Sequence, residues 1–534
     1  MVLVVVSRLA ILFSLFLLAS CRSGGEPGGK KEEVPLRPLP RNFTLLSEEP
    51  RTLDPAFVDD TYSSNIVCQT FDGLITVDEN LKLVPELART WSVSADGSRY
   101  TFELVSDARF HNGKRVTAHD FVHTFTRIFL QGPGAPSIGR EYLKGVVGVD
   151  EFVAGKADTI RGLRAYDATH FCVELDSPDA TFLAAMAMPN FKVVPPEADE
   201  PGFARRPIGA GPFIFEEWKP ADRITLKANL AYHRGRPKLN EVQFLITGTA
   251  DPQAQVEMFR RGRVQIIQAV GEDAAFLAKE GYPILNRSEL SLHYLGFNCA
   301  KTPFVDVRVR KAVAASINYD RFGIFEPLCY LPATGLIPPG MQGYAGGERP
   351  YAYDPIAAAK LLSEAGYAGG KLNTEIDFVS YAGESGIGVK IENVIIDDLS
   401  KIGLRLKKRE VPWVTFNEMV ARRELSFYRL AWVADIPDTS SVLYSLFYSH
   451  ALNNSFSFSN ADVDRLLSQA RVAFDPVAKT AMYQEAQEKI LQDVPLIPLD
   501  FGCYNYARQP YVRGLVLNPY GLADTSLENV YYER

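Results

Sequence analysis

Residues 428–441 read YRLAWVADIPDTSS. Residues 430–434 are apolar or small, and the run ends in a lone carboxylate, Asp435. An acid in that place either turns the chain or waits for a positive charge. Asp438 and Thr439 already supply turn chemistry a few residues on. Deciding between the two needs the rest of the sequence. Strand alternation places Arg429, six residues earlier, on the same side as Asp435, with Cα atoms roughly 20 Å apart if extended. A long Arg arm would shorten that gap.

Around this stretch, strand and helix patterns alternate. The segments VRVRKAVAASIN (307–318), DPIAAAKLLSEAG (354–366), IENVIIDDLSKIG (391–403) and AKTAMYQEAQEKILQD (478–493) carry helical periodicity. TEIDFVS (374–380) and LRLKKREV (404–411) read as strands, so the second half is an α/β lobe beginning near LSLHYLGFNC (290–299). Earlier, NFTLLSEE (42–49), RYTFELV (99–105), HFCVELDSP (170–178) and RITLKAN (223–229) read as strands, and IGAGPFIFEEW (208–218) as a glycine turn followed by a strand. A helix is expected around 66–71. Another follows Thr117 as N-cap, with Asp120 completing a capping box.

The chain has 534 residues, too many for one core, so two or more lobes are expected. Composition is ordinary globular, at 46% hydrophobic and 23% charged, and argues against disorder. The net charge of −7 and the lack of a basic cluster argue against nucleic-acid binding. At the N-terminus, Arg8 precedes an apolar stretch over 9–19, shorter than the ~20 residues of a membrane span. Residues 1–20 therefore read as a signal peptide. Leu18-Ala19-Ser20-Cys21 resembles a bacterial lipobox, with Cys21 as the lipidated new N-terminus. Residues 21–41, rich in Gly, Pro and charge, read as a flexible tether. The body would then sit in the cell envelope, anchored by lipid on the outer side of the cytoplasmic membrane. Beyond Cys21 the cysteines are Cys68, Cys172, Cys299, Cys329 and Cys503, without a CxxC; buried single thiols are expected.

Five stretches together carry a family resemblance: LDPAFVDDTYSSNIVCQTFDGL (53–74), ELARTWSVSADGSRYTFELVSDARFHNGKRVTAHDFVHTF (86–125), IGAGPFIFEEWKPADRITLKANLAYHRG (208–235), YLGFNCAKTPFVDVRVRKAVAASINYDR (294–321) and YDPIAAAKLLSEAGY (353–367). In this order, over nearly the whole body, they resemble the extracellular solute-binding proteins of family 5, the peptide and nickel receptors of ABC importers. The resemblance is greatest to the oligopeptide-binding members. It implies an α/β class II periplasmic-binding-protein fold: two lobes closing on ligand, with an additional domain inserted in the first. By analogy lobe I comprises 42–84, 205–288 and 505–534, the inserted domain 85–204, and lobe II 289–504.

The resemblance also assigns roles. In the family's oligopeptide receptors a Trp-x-Ala-Asp strand lines the cleft and its Asp pairs with the peptide's α-ammonium; Trp432, Ala434 and Asp435 match that pattern. Arg429 matches an arginine that some members use for the peptide carboxylate; a solvent-facing Arg is the plain alternative. Backbone groups of Ala431, Trp432 and Val433 are expected to add a peptide as a strand, with Asp59 and Thr61 pairing from lobe I. His293, Tyr294, Phe501 and Tyr504 are weaker cleft candidates, with core packing the default. Two departures stand out. The positions matching a family disulfide are Ser291 and Val433, and the frequent acidic GEID turn reads Gly262-Arg263-Val264-Gln265.

The implied function is non-enzymatic capture of oligopeptides for an ABC permease and its ATPase subunits, by a monomer without cofactor or metal. A nickel chelate, an oligosaccharide or an opine is the alternative cargo. His119 and His123, at the i, i+4 spacing of the zinc motif H-E-x-x-H, offer a competing zinc-hydrolase reading; a surface helix is the plain one.

Overall fold

The computed structural model describes residues 39–130, 137–248, 251–382 and 386–534. The signal peptide, Cys21 and nearly all of the tether lie outside these residues. Most of the chain is organised on one mixed sheet of 11 strands. Its order from one edge is 404–411, 374–381, 427–433, 284–297, 496–508, 266–268, 43–47, 241–246, 223–228 and 213–219, with 331–332 joined to 496–508.

The physical reasons are local. Strands Thr374–Tyr381 and Leu404–Val411 run parallel, which requires a crossover, and the helix Gly386–Lys401 supplies it. That helix buries Ile391, Val394, Ile395 and Leu399 against the sheet. Helices Val307–Ser316 and Pro355–Glu364 begin at Asp306 and Asp354, whose carboxylates accept first-turn N–H groups. On the other side of the sheet's middle, Phe43–Ser47 lies parallel to Glu241–Ile246. There Phe43, Leu45, Phe213, Ile224 and Phe244 form a second body of core. Gly211 allows the 208–212 turn to pack on Thr70: a Cβ there would lie 2.6 Å from the Thr70 carbonyl carbon.

Two strands join the halves. Ile284–Phe297, of 14 residues, and Leu496–Arg508, of 13, run antiparallel at the centre of the sheet. Their pairing lapses between Ser288 and Leu292 and again between His293 and Tyr294. The expected lobe boundaries at 288/289 and 504/505 fall inside these strands.

A separate four-stranded antiparallel sheet, in the order 88–93, 99–104, 170–174, 163–165, carries the helix Ala118–Arg127. Its core is its own: Phe102, Phe121, Phe125 and Phe171 are all buried, with Phe125 edge-on to Phe171 at 5.3 Å. Each such ring contributes roughly 1.5–3 kcal/mol. The fold is thus two α/β lobes with an additional domain. The helix begins with the expected capping box of Thr117 and Asp120.

The first and last parts of the described body meet. Gln69 donates from Nε2 to the Thr525 carbonyl at 2.9 Å and accepts at Oε1 from the Leu527 amide at 2.9 Å. Tyr532 Oη donates to the Asn42 carbonyl at 2.7 Å.

One cysteine expectation is corrected. Cys329 and Cys503 form a disulfide with Cα atoms 5.7 Å apart, so they are not single thiols. The short strand Leu331–Pro332 pairs with Phe501 and Asp500, which brings the two cysteines together across 174 residues. Cys68, Cys172 and Cys299 remain free.

Candidate functional site

The strand Phe427–Val433 pairs antiparallel with Ile284–Phe297, matching Ser291 to Val433, Leu292 to Trp432 and His293 to Ala431. The Ala434 amide donates to the Leu290 carbonyl at 2.8 Å. In an antiparallel ladder, hydrogen-bonding direction alternates. Trp432 and Leu430 therefore turn their backbone groups toward the 284–297 strand, and Ala431 and Val433 turn theirs away. On that far side Thr374–Tyr381 pairs only at Phe427 and Tyr428. Among the described residues, then, the edge at Ala431 and Val433 is without a strand partner.

Side chains alternate as well. Ala431, Val433 and Asp435 are exposed, while Leu430, Trp432 and Ala434 turn toward the core. Trp432 donates from its indole N–H to the Ser441 carbonyl at 2.6 Å. Its ring thereby ties the strand to the helix Ser440–Phe447.

Asp435 lines a cavity of about 320 Å³. Tyr142, from the additional domain, donates from its hydroxyl to Asp435 Oδ2 at 3.3 Å. Among the described residues no Lys, Arg or His pairs with the carboxylate. Its side chain is exposed to the cavity, yet protein surrounds it at longer range. That burial pushes its pKa up, the Tyr142 hydrogen bond opposing. The turn that follows belongs to Asp438, which accepts from the Ser440 amide at 2.9 Å, from Lys479 Nζ at 2.6 Å and from Tyr483 Oη at 3.0 Å. Asp435 is therefore not needed to cap the helix.

The rest of this cavity was not visible in the sequence. Lys192 and Glu86 form a buried pair at 2.7 Å, Asp72 meets His233 Nε2 at 2.8 Å, and Arg234 meets Glu528 at 3.1 Å. These contacts join segments over a hundred residues apart, and no local pattern announces them.

Arg429 departs from expectation. It does not share Asp435's cavity but lines a second one, of about 160 Å³, with Ala431, His293 and Asp500. Its side chain is 8% exposed and lies 3.7 Å from Glu392, which projects from the helix Gly386–Lys401. The alternation argument fails because the strand ends at Val433; the chain then turns, with the Asp435 amide bound to Ser441 Oγ at 3.0 Å. In the same cavity His293 Nδ1 meets Asp500 Oδ1 at 2.7 Å. Burial works to lower the His293 pKa, but the Asp500 carboxylate outweighs it and the pKa is raised.

On the lobe I side, Thr61 lines a third cavity of about 360 Å³, with Tyr62, Tyr504 and Tyr520. Thr61 is also the first residue of the helix Thr61–Thr70, capped by Asp60. It is therefore not an extended residue that could pair with a ligand strand. Asp59 makes an exposed ion pair with Arg51 at 3.3 Å. Among the weaker candidates, Tyr294 is buried in the core, Phe501 is largely buried and lines the second cavity, and Tyr504 donates its hydroxyl to Glu289. Of the zinc pair, His123 meets Asp199 Oδ2 at 2.8 Å, and among the described residues no cluster of three metal-ligating side chains forms.

The chain matches the family of bacterial extracellular solute-binding proteins, family 5, in its middle region, over residues 82–454. It is 28% identical to the probable deoxycholate-binding periplasmic protein YgiS of Escherichia coli, covering 88% of this chain and 89% of that one. It is 27% identical to di/tripeptide-binding protein 2 of Pseudomonas aeruginosa, covering 97% and 98%. Its fold superposes on HbpA2 from Haemophilus parasuis with a TM-score of 0.80 at 22% identity, covering 92% and 100%. The two-lobed fold, the open strand edge beside a cavity and the match over most of the chain lead to one conclusion: the chain belongs to the bacterial extracellular solute-binding proteins of family 5.

Proposed function

We propose that this protein captures short peptides by their α-ammonium group at Asp435 and hands them to an ABC permease. The observation that carries this reading is a carboxylate without a cationic partner, next to an unpaired strand edge at Ala431 and Val433. A peptide offers both complements, a fixed positive charge at its start and a backbone able to extend the sheet. The relatives' names span different cargo, including deoxycholate and di- and tripeptides. Deoxycholate is an anion, and an ionised Asp435 repels it, so the peptide relative is the better guide. A neutral oligosaccharide has no group that needs Asp435.

The same reading divides the body into lobe I (42–84, 205–288, 505–534), the inserted domain (85–204) and lobe II (289–504), and anchors a monomer to the envelope through lipid on Cys21. Closure around a peptide needs ligand contacts that exist only when the lobes are shut. The test is mass spectrometry of ligand released from freshly purified protein by denaturation. Short peptides with free N-termini are the expected species. Recovery of a nickel chelate, an opine or a sugar as the dominant species would replace the peptide reading.

A further inference from the structure

The cavity beside Asp435 is strongly acidic: seven carboxylates and two cations line it. Both cations are engaged, Lys192 with Glu86 and Arg234 with Glu528. Asp72 has His233. Of the other four, Asp78 and Glu79 lie on a turn where Asp78 accepts from the Asn80 and Lys82 amides; the last two are Asp435, from the end of the 427–433 strand, and Asp524, from the C-terminal stretch. Neither has a Lys, Arg or His in contact among the described residues. Asp524 has a thiol for a neighbour, with Cys68 Sγ donating to Oδ1 at 3.2 Å. Burial raises the Asp524 pKa, the Cys68 hydrogen bond and Lys192 opposing.

Tyr520 points independently to a missing ligand. Its hydroxyl oxygen is sealed from solvent and has no hydrogen-bond partner among the described residues. Its side chain lines the cavity, and both Asp524 and Asp435 act on it electrostatically. A buried hydroxyl without a partner is costly, as are two carboxylates that share a cavity without counter-ions. A donor carrying positive charge, placed between them, relieves both costs.

Resting on the peptide reading above, we propose that Asp524 and Tyr520 form a second cation-binding point, which selects peptides whose first residue has a basic side chain. The α-ammonium of such a residue takes Asp435. Its side-chain ammonium or guanidinium reaches Asp524 and donates to Tyr520 Oη. A volume of about 320 Å³ accommodates one residue of this kind.

The test is calorimetry on the full chain, stripped of retained ligand, with Lys-Ala-Ala and norleucine-Ala-Ala. The two peptides differ chiefly in the side-chain charge. Wild type is expected to bind the lysine peptide roughly tenfold to a hundredfold more tightly, the worth of one charge-assisted hydrogen bond. Asp524→Asn removes this preference and leaves the norleucine peptide within about twofold of its wild-type affinity. Tyr520→Phe, a smaller change, lowers the preference roughly threefold. Equal affinities in wild type, or a preference that survives Asp524→Asn, overturn the second binding point alone. If Asp524→Asn fails to fold by circular dichroism, an unchanged preference in Tyr520→Phe overturns it instead. Failure of both peptides to bind, or indifference of both to Asp435→Asn, overturns the peptide reading and the second point with it.

Discussion

Asp435→Asn keeps the shape of the side chain and removes its charge. In the structure the carboxylate has one polar side-chain partner, Tyr142 at 3.3 Å, and is exposed to the cavity. Its pair with a peptide α-ammonium therefore lies between two limits. A charge-assisted hydrogen bond contributes about 1.5–3 kcal/mol, and breaking a fully buried pair costs about 3–5 kcal/mol. Taking about 2–4 kcal/mol, the substitution weakens free peptides by roughly thirtyfold to several-hundredfold. Acetylating the peptide removes the other partner, so the two changes are non-additive. Calorimetry on the four combinations of receptor and peptide measures the coupling. Acidity adds a second signature. The pKa of Asp435 is raised by burial, and the ammonium binds the ionised form, so affinity is full above that pKa and falls as pH drops through it. In Asp435→Asn this pH dependence disappears. Linkage also fixes a sign for stability: with its pKa raised in the folded state, ionised Asp435 destabilises the empty protein at neutral pH, and acidification relieves this. The melting temperature of empty Asp435→Asn at pH 7 should exceed that of wild type. Tight binding of free peptides by a folded Asp435→Asn would refute the reasoning.

Three further outcomes are expected. Replacing Cys329 and Cys503 by Ser frees a loop of 174 residues and should cost roughly 2–5 kcal/mol, seen as a lower melting temperature; an unchanged melt means the bridge contributes nothing to stability. Lys192→Met strands the Glu86 carboxylate in the interior and should cost about 3–5 kcal/mol by chemical denaturation, whereas Lys192→Met with Glu86→Gln should cost less; equal losses would show that the pair itself is unimportant. Cys21→Ala should shift the protein out of the membrane fraction or leave its precursor uncleaved, and a mutant that is processed and fractionates like wild type would end the lipoprotein reading.

How much was legible in the sequence depended on distance along the chain. The helices at 307–316, 355–364 and 476–493 and the strands at 374–381 and 404–411 follow from periodicity. The alternating strand 427–433 and its terminal acid are also local features. What surrounds them is not. Glu392 stands 37 residues before Arg429, on a different element, and lies beside an arginine that alternation placed on the same side as Asp435. The indole of Trp432 bonds to a carbonyl on the following helix, where packing decides its direction. Tyr142 arrives from the additional domain and Tyr520 and Asp524 from the last strandless stretch, and nothing near any of them in sequence resembles a binding motif. The Cys329–Cys503 bridge was missed for the same reason, since it depends on a two-residue strand that only the sheet reveals.

The meeting of the first and last parts of the described body bears on when folding can finish. The helix that carries Gln69 is held by Thr525 and Leu527, and the backbone at Asn42 by Tyr532. The opening strand at 43–47 waits for 241–246 and 266–268 before it has any neighbour. The contacts that hold Gln69 and Asn42 therefore cannot form until the final residues are made. Contacts so far apart in sequence also close slowly. Completion of this part of the fold is therefore a late step, after the whole chain has been made.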